Sequence, residues 1–462
     1  MAIAQAVSMV AGLMTITVLT RNLGPEAYGV LGFCLAIISY FGLLTNFGMD
    51  VHGTREIARD HSLTPSVVGA ALLMRCSLAI VGVIILLTGL MFFNPTEQIR
   101  STLVILSVGL AFVATNVEFA YQGLQKMSYM AARQICAALA VMLATITFVA
   151  TPEDVMAAAT IPVAANTFTA LVLLAHFRNY VSGIEFKIVW SRYWAFLKRS
   201  APIALLGTLV AIQISIDIVM LGILRADHEV GLYTAVSRLF AIALIVGNLL
   251  HSVYLPVFSE TGSRSEAPPP EVKVYGRIMS VLGGALCLGG TIMSGAVIEV
   301  LFGAEFRAAE TSLILLLVSA GLFHFGLAYG TPLLAWQSDR AYLKILLIGA
   351  GANLALNALL IPHFGIEGAA FATLTSQFIV LLALGTIVWR AFRLSHARLL
   401  LKSTVLAYVC CLPMLGLRFV GLVSPLQTIG AGLVLVGLFL FLCGRTGVID
   451  YALLRQLLPQ RS

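Results

Sequence analysis

The stretch Gln213-Ile-Ser-Ile-Asp217-Ile-Val-Met-Leu-Gly-Ile-Leu-Arg225-Ala-Asp-His-Glu-Val-Gly231-Leu-Tyr233-Thr-Ala-Val-Ser-Arg238 decides the fold of this 462-residue chain. An acid, Asp217, stands inside an apolar run. A short polar turn follows, then Gly231 and Tyr233, and a second apolar run that holds Arg238. Charges inside apolar spans are expensive, so each is a functional candidate. The stretch has a counterpart near the start of the chain. With Gly231 set on Gly29, Ile16 to Leu31 falls on Ile218 to Tyr233, and the early copy carries the turn Arg21-Asn-Leu-Gly-Pro-Glu-Ala-Tyr-Gly29. Both copies read apolar run, polar turn, glycine, apolar run. Such internal symmetry is a mark of repeated halves in membrane transporters.

Composition agrees. The chain is 60% hydrophobic and 11% charged, whereas a soluble domain carries about 25% charged residues. This defines a polytopic membrane protein, all-α because its apolar runs are continuous and not alternating, and all but excludes a soluble enzyme. The net charge of +7 would point to nucleic acid in a soluble chain. Here it reads as basic cytoplasmic loops, and no nucleic-acid partner is expected. The seven cysteines, Cys34, Cys76, Cys136, Cys287, Cys410, Cys411 and Cys443, all lie in apolar runs without metal-ligand spacing. They read as small packing residues, and no metal site is expected. The N-terminus has no basic segment ahead of its apolar run, unlike a cleavable signal.

A helical span needs about 20 apolar residues. By that rule the sequence predicts about 14 spans. Twelve fall into two sets of six: Ile3–Thr20, Gly29–Gly48, Val68–Phe92, Thr102–Tyr121, Ala131–Ala150 and Ala158–His176, then Ala201–Gly222, Leu232–Pro256, Val274–Ile298, Ser312–Ala335, Tyr342–Ile361 and Ala369–Trp389. A final pair is Ser403–Leu417, interrupted by Pro413, and Ile429–Cys443. The expected organisation is an N-lobe over residues 1–200, a C-lobe over 201–395, and two extra helices with a tail over 396–462.

With the N-terminus placed inside, the outer segments hold only Arg21, Arg100, Arg225, Arg307 and Arg418 of the 28 Lys and Arg. Arg75 and Arg238 fall inside spans, and the other 21 fall in inner segments. This bias sets both termini in the cytoplasm. All four tryptophans, Trp190, Trp194, Trp336 and Trp389, fall at inner ends, where amphipathic rings anchor. The basic, aromatic loop from Arg178 to Ser200 reads as a helix lying on the membrane. The tail Val448–Leu458 reads as another, with its leucines on one side.

Several motifs now carry a resemblance. Arg21-Asn-Leu-Gly-Pro-Glu-Ala-Tyr-Gly29, Asn46-Phe-Gly48 and Arg55-Glu-Ile-Ala-Arg59 resemble the opening of the polysaccharide-exporter family. So do Leu197-Lys-Arg-Ser-Ala-Pro202, Ile216-Asp217 through Gly231-Leu-Tyr233, Asn353 through Asn357, Ile361-Pro362, Gly365 and Gly368-Ala-Ala370. These are the O-antigen-type flippases of lipid-linked oligosaccharides, in the superfamily that includes multidrug and toxin extruders and the lipid II flippase. The resemblance covers nearly the whole chain through the order and spacing of its motifs. One departure is that the first span begins almost at Met1, with fewer residues ahead of it than the family has. The resemblance implies two six-helix lobes around a central cavity, a polyprenyl-pyrophosphate-linked oligosaccharide as substrate, and alternating access in the inner membrane. It also implies a polysaccharide polymerase and chain-length machinery as candidate partners.

The substrate-binding candidates are Arg238, Asp217, Arg75, Arg21, Asn46, Gln213 and Asn248. Asp217 and Arg238 lie at similar depth on adjacent spans, so they read either as a structural ion pair or as an acid that titrates and a base that meets an anionic head group. Arg75 and Glu118 could form a second pair, or Arg75 could snorkel. Arg21 and Glu26 cap the first outer turn, as interface anchors or as contacts to phosphate. Thr15, Thr17, Ser39, Asn46, Gln213, Ser215 and Asn248 read first as hydrogen bonds between helices. His251 and His324 read as satisfied core residues before proton carriers. Asn353, Asn357 and Pro362 suit helix packing and termination, and Gly24-Pro25, Gly29, Gly231 and Gly365 supply turns and close approach.

No G-x-x-x-x-G-K-[ST] motif occurs, so direct ATP use is not indicated and no cofactor is expected. A polytopic polymerase or ligase would need an outer catalytic platform, and the outer turns offer only scattered acids. A cation-coupled multidrug extruder is the nearer alternative. It would favour a coupling acid in the first span, which has none.

Overall fold

The computed structural model describes residues 2–93, 95–180, 183–186, 190–261, 269–336, 339–419 and 424–448. Among them the chain is helical throughout, with no strand. The helices of the first half are α1 (Ala2–Asn46), α2 (Met49–Arg59), α3 (Thr64–Phe93), α4 (Glu97–Val108), α5 (Leu110–Thr115), α6 (Glu118–Gly123), α7 (Met127–Phe148), α8 (Val155–Tyr180) and α9 (Trp190–Leu224). Those of the second are α10 (Asp227–Thr261), α11 (Pro270–Leu301), α12 (Glu310–Trp336), α13 (Asp339–Phe392), α14 (Ala397–Phe419) and α15 (Pro425–Arg445). Helices dominate because a chain this apolar can satisfy its backbone only within each segment.

Among the described residues, eleven helical segments are long and apolar enough to cross a membrane, and the chain is a multi-pass membrane protein. Two of the eleven, Ile3–Arg59 and Arg340–Phe392, each hold two of the expected runs, and the seventh run is represented by the shorter Ser215–Leu224. Length and composition thus establish eleven segments among the described residues, and fourteen separate spans are not established by them. The two long segments break where the sequence places its turn glycines. Gly24 has φ 70° and Gly365 has φ 53°, backbone that only glycine adopts without strain. Pro25 follows the first break, where its missing N–H and fixed φ suit the start of a new helix. In α13 the limbs on either side of Gly365 pack together. Asn353 Nδ2 reaches Thr373 Oγ1 at 3.4 Å, and Asn357 Nδ2 donates to Asn353 Oδ1 at 3.1 Å, as expected of packing asparagines.

Packing divides the chain into two compact units, Met1–Gly231 and Leu232–Ser462. In the first unit, side-chain contacts fix helix directions. Gln134 Nε2 meets Gln5 Oε1 at 3.1 Å, and Asn22 Nδ2 donates to Val149 O at 2.7 Å, so the first limb of α1 runs parallel to α7. Arg75 reaches Asn46, while Gly82 lies against Phe41, so α3 runs antiparallel to the second limb of α1. These directions gather the Gly24 turn and the α7–α8 turn at one end. The α1–α2 junction lies at the other. That is the alternation the charge bias predicts.

The expected surface helix is not separate. From Trp190 the backbone runs as one 35-residue helix, α9, into the next span, and Phe196 is buried with Met49, Phe119 and Phe177. The expected tail helix lies outside the described residues beyond Val448, as do Lys187 and the side chain of Trp190. Of the cysteines, Cys76 and Cys136 are exposed and the other five buried. Thr15, Thr17 and Ser39 do not bridge helices. Their hydroxyls donate to carbonyls of their own helix, Ala11, Leu13 and Ala36, at 2.8, 3.0 and 2.7 Å. A hydroxyl in an apolar helix finds its nearest acceptor one turn back.

In the second unit, α11 packs against α12, α14 and α15. Glycine lets the helices approach: a Cβ on Gly283 would sit 2.8 Å from the Gly321 carbonyl oxygen. An aromatic core of Phe258, Tyr275, Phe325 and Tyr329 joins α10, α11 and α12, and Trp336 Nε1 donates to Phe258 O at 2.9 Å. The two expected core histidines differ. His251 Nδ1 meets Thr331 Oγ1 at 2.8 Å, whereas His324 Nδ1 meets Ala320 O at 2.7 Å and its Nε2 is buried without a partner.

Candidate functional site

A dense polar cluster among the described residues of the first unit is built where a span breaks. Helix α5 ends at Thr115, Asn116 turns extended, and α6 starts at Glu118. Such a break frees backbone groups, which an apolar setting must satisfy from side chains. Arg75, on α3, does this. It is 1% exposed, and its Nη1 donates to the Asn116 carbonyl at 2.8 Å. Its Nη2 donates to Asn46 Oδ1 at 2.9 Å and to Asp50 Oδ1 at 2.5 Å. The guanidinium lies over the Phe119 ring, 4.8 Å from its centroid. One side chain thereby ties together the end of α1, the start of α2 and the α5–α6 break.

Sequence reasoning offers Arg75 either a pair with Glu118 or a snorkelling role; the structure corrects both, since Arg75 is buried and Glu118 pairs elsewhere. Glu118 Oε1 accepts from Arg133 Nε at 2.6 Å, and Arg133 stacks over Phe112 at 5.4 Å. Asn116 links the two pairs, since its Oδ1 accepts from the Glu118 N–H at 2.9 Å and its Nδ2 donates to Glu118 Oε2 at 3.2 Å. Two acids balance two arginines, so the cluster has no net charge to attract an anion. It leaves two buried nitrogens unpartnered, Arg75 Nε and Arg133 Nη1. Asp50, Asn116, Phe119 and the burial of Arg133 were not singled out from sequence. The Asn-Val-Glu turn was the one local signal for them.

The other candidates lie outside this cluster. Asp217 is 3% exposed on α9, within electrostatic range of the Tyr40 hydroxyl. One turn further, Gly222 lies against the Phe33 ring, leaving no room for a Cβ. Arg238 on α10 is exposed, as is Asn248 further along the same helix. Arg21 is exposed just before the Gly24 break. The side chain of Gln213 lies outside the described residues. The structure therefore brings together Asn46 and Arg75 within the first unit.

Helices of this length, broken at paired glycines and holding buried charge at a span break, define a polytopic membrane protein. Residues 1–262 match the family model described as polysaccharide biosynthesis protein, and the chain belongs to that family. A relative in Escherichia coli (strain K12), named as an O-antigen transporter, is 23% identical over 396 residues, 82% of this chain and 93% of that protein. Among solved structures, a lipid II flippase, MurJ, superposes with TM-score 0.75 at 13% identity, covering 97% of this chain and 99% of that one. An inward-facing multidrug resistance transporter of the MATE family superposes with TM-score 0.68 at 14% identity, over 84% and 96%. At these identities the structures establish the shared fold.

Proposed function

We propose that the protein translocates a polyprenyl-linked oligosaccharide across the inner membrane for surface polysaccharide synthesis, by alternating access and without chemical change to its cargo. The observation that carries this reading is family membership together with similarity along most of the chain to a protein named as an O-antigen transporter. The physical task is to carry a polar, anionic head group through about 30 Å of hydrocarbon while the prenyl tail stays in lipid. An arginine that meets the head group must be reachable, and Arg238 is exposed where Arg75 is not. We assign Arg238 to the head group, Asp217 to a supporting or coupling role, and Arg75 to positioning of the first unit. Both termini are placed in the cytoplasm, with residues 1–200 and 201–395 as the alternating lobes. A polymerase and chain-length machinery would then take the delivered substrate.

The fold is shared with a multidrug transporter, so a cation-coupled extruder is the second reading. Gene deletion separates them. Loss of surface polysaccharide, with lipid-linked oligosaccharide retained on the inner leaflet, supports the flippase. Normal polysaccharide with altered drug sensitivity overturns it.

A further inference from the structure

The second unit carries a concave apolar surface that the transport reading does not use. It is a groove of about 710 Å³ bounded by α12, the last limb of α13 and the start of α14. That volume lies in the range of small-molecule and lipid-chain sites. An exposed apolar helix face is what any membrane protein shows to lipid and says nothing alone. This one is a shallow concavity with a wide mouth, and it is graded. Leu322, Phe378 and Leu382 line one end, and Arg390 with Ser395 lines the other. The hydroxyl of Thr386, on its wall, is spent on the Leu382 carbonyl at 2.7 Å, so the wall offers little to a polar ligand.

The length of the groove identifies its occupant. From Phe378 to Arg390 along α13 is twelve residues, or about 18 Å at 1.5 Å each. That is close to the depth of one leaflet, half of the roughly 30 Å core. The charged end is also the inner end by the Lys and Arg bias. Arg393 stands there with its guanidinium 5.3 Å from the Trp389 ring centroid, holding a second positive charge at the interface. The start of α14 at Ala397 adds the positive end of a helix. Basic pockets between membrane helices on the cytoplasmic side are where anionic lipid head groups seat. Arg390 also lies in the last turn of α13, where a cation would complement the helix dipole with no ligand at all.

We propose that this groove is a resident site for an anionic phospholipid of the inner leaflet, its phosphate at Arg390 and one acyl chain lying toward Phe378. A polyprenyl chain would outrun a groove one leaflet deep, so the occupant is a structural lipid and not the cargo. The site stands independently of the flippase reading.

The test is native mass spectrometry of the full chain released from nanodiscs holding equal phosphatidylglycerol and phosphatidylcholine, with a polyprenyl phosphate added in one arm. The wild type should retain phosphatidylglycerol preferentially. Arg390→Gln should lower that preference about fivefold, the effect of one basic side chain near a membrane surface. Arg390→Lys should keep most of it, and Arg340→Gln, an inner arginine away from the groove, should leave it unchanged. Thr386→Trp, which fills the groove while keeping its charge, should lower retention of the lipid too. Equal retention of both phospholipids by the wild type, or an undiminished preference in both Arg390→Gln and Thr386→Trp, would overturn the proposal. So would displacement of phosphatidylglycerol by equimolar polyprenyl phosphate, which would make the groove a cargo site.

Discussion

Gly29 and Gly231 lie backbone against backbone: a Cβ built on Gly231 falls 3.0 Å from the Gly29 nitrogen and 1.7 Å from the Pro25 carbonyl oxygen. They are the two residues that the internal repeat matches, so the two copies of the turn meet at the same point of each. A Cβ on Gly29 would fall 1.9 Å from the Asp227 carbonyl oxygen. Backbone atoms cannot swing aside as a long side chain can. Gly29→Ala and Gly231→Ala should each destabilise the protein by about 1–3 kcal/mol or more through overpacking. Gly12→Ala is the control, because nothing lies within 4 Å of its Cβ position. It should be neutral or stabilising by up to about 1 kcal/mol, since alanine favours helix. Thermal unfolding in detergent reads all three.

Removing Arg75 should do more harm than removing its ionic partner. Asp50 is 46% exposed and can be hydrated, whereas Arg75 is buried. Arg75→Ala leaves the Asn116 carbonyl and Asn46 Oδ1 without their donor and strips the packing from Phe119. Each buried group so orphaned costs about 1–3 kcal/mol. Asp50→Asn keeps an acceptor in place and should cost less. Arg75→Lys should recover only part of the loss, because an ammonium cannot span three acceptors and stack at once. The order Arg75→Ala, Arg75→Lys, Asp50→Asn in falling destabilisation is the expected result. A reversed order would mean that Arg75 does not hold the break.

His396, between α13 and α14, should make stability pH-dependent. Its backbone N–H donates to the Tyr329 hydroxyl at 3.0 Å, while its Nε2 is buried without a partner. Burial pushes the imidazole down from 6.5 to about 4. The unfolded chain therefore takes up a proton near pH 6.5 that the folded chain refuses until about pH 4. Stability is complete above the unfolded value and falls as pH drops through this window, by about 3 kcal/mol at most. Unfolding midpoints between pH 7 and 4 should show this slope, and His396→Gln should flatten it. An unchanged slope in that variant would place the titration elsewhere.

The turns at Gly24 and Gly365 were legible in the sequence because a break in a long apolar run needs a residue tolerant of positive φ. The helical class was legible because the apolar runs are continuous and about a bilayer long, without the alternation of a barrel strand. The partner of Arg75 was not. Asp50 and Glu118 are both acids near the inner end, and helical spacing cannot say which neighbours α3 once the chain has folded. The surface helix was misread for a similar reason. Charges and tryptophans mark an interface, but they do not stop a helix from continuing through Pro202 into the next span.

Sidedness rests on the positive charges and is open to direct measurement. With exposed Cys76 and Cys136 replaced and the five buried cysteines kept, a cysteine introduced at Glu153 should react with an impermeant maleimide added outside. One at Lys198 should react only after the membrane is opened. Outside labelling at Lys198 would reverse the orientation and move the proposed phospholipid site to the other leaflet.

Asp217 and Arg238 bear on transport itself. Asp217 is buried on α9, and Arg238 is exposed on α10. An arginine exposed along a span must face water or a polar ligand, because lipid would charge heavily for it. Arg238→Ala should therefore insert and fold at normal level yet lose transport, and Arg238→Lys should keep a part. Asp217→Ala should lower the folded amount, since its neighbours have packed around a buried acid. Asp217→Asn preserves the shape, so its transport separates the remaining roles. If Asp217 couples transport to a proton, Asp217→Asn should bind cargo, fail to turn over, and show no pH dependence. If it only supports the site, Asp217→Asn should transport with the wild-type pH profile at reduced rate. A leaflet-protection assay on lipid-linked oligosaccharide, normalised to protein in the membrane, reads each case. Full transport by stably inserted Arg238→Ala would end the head-group assignment.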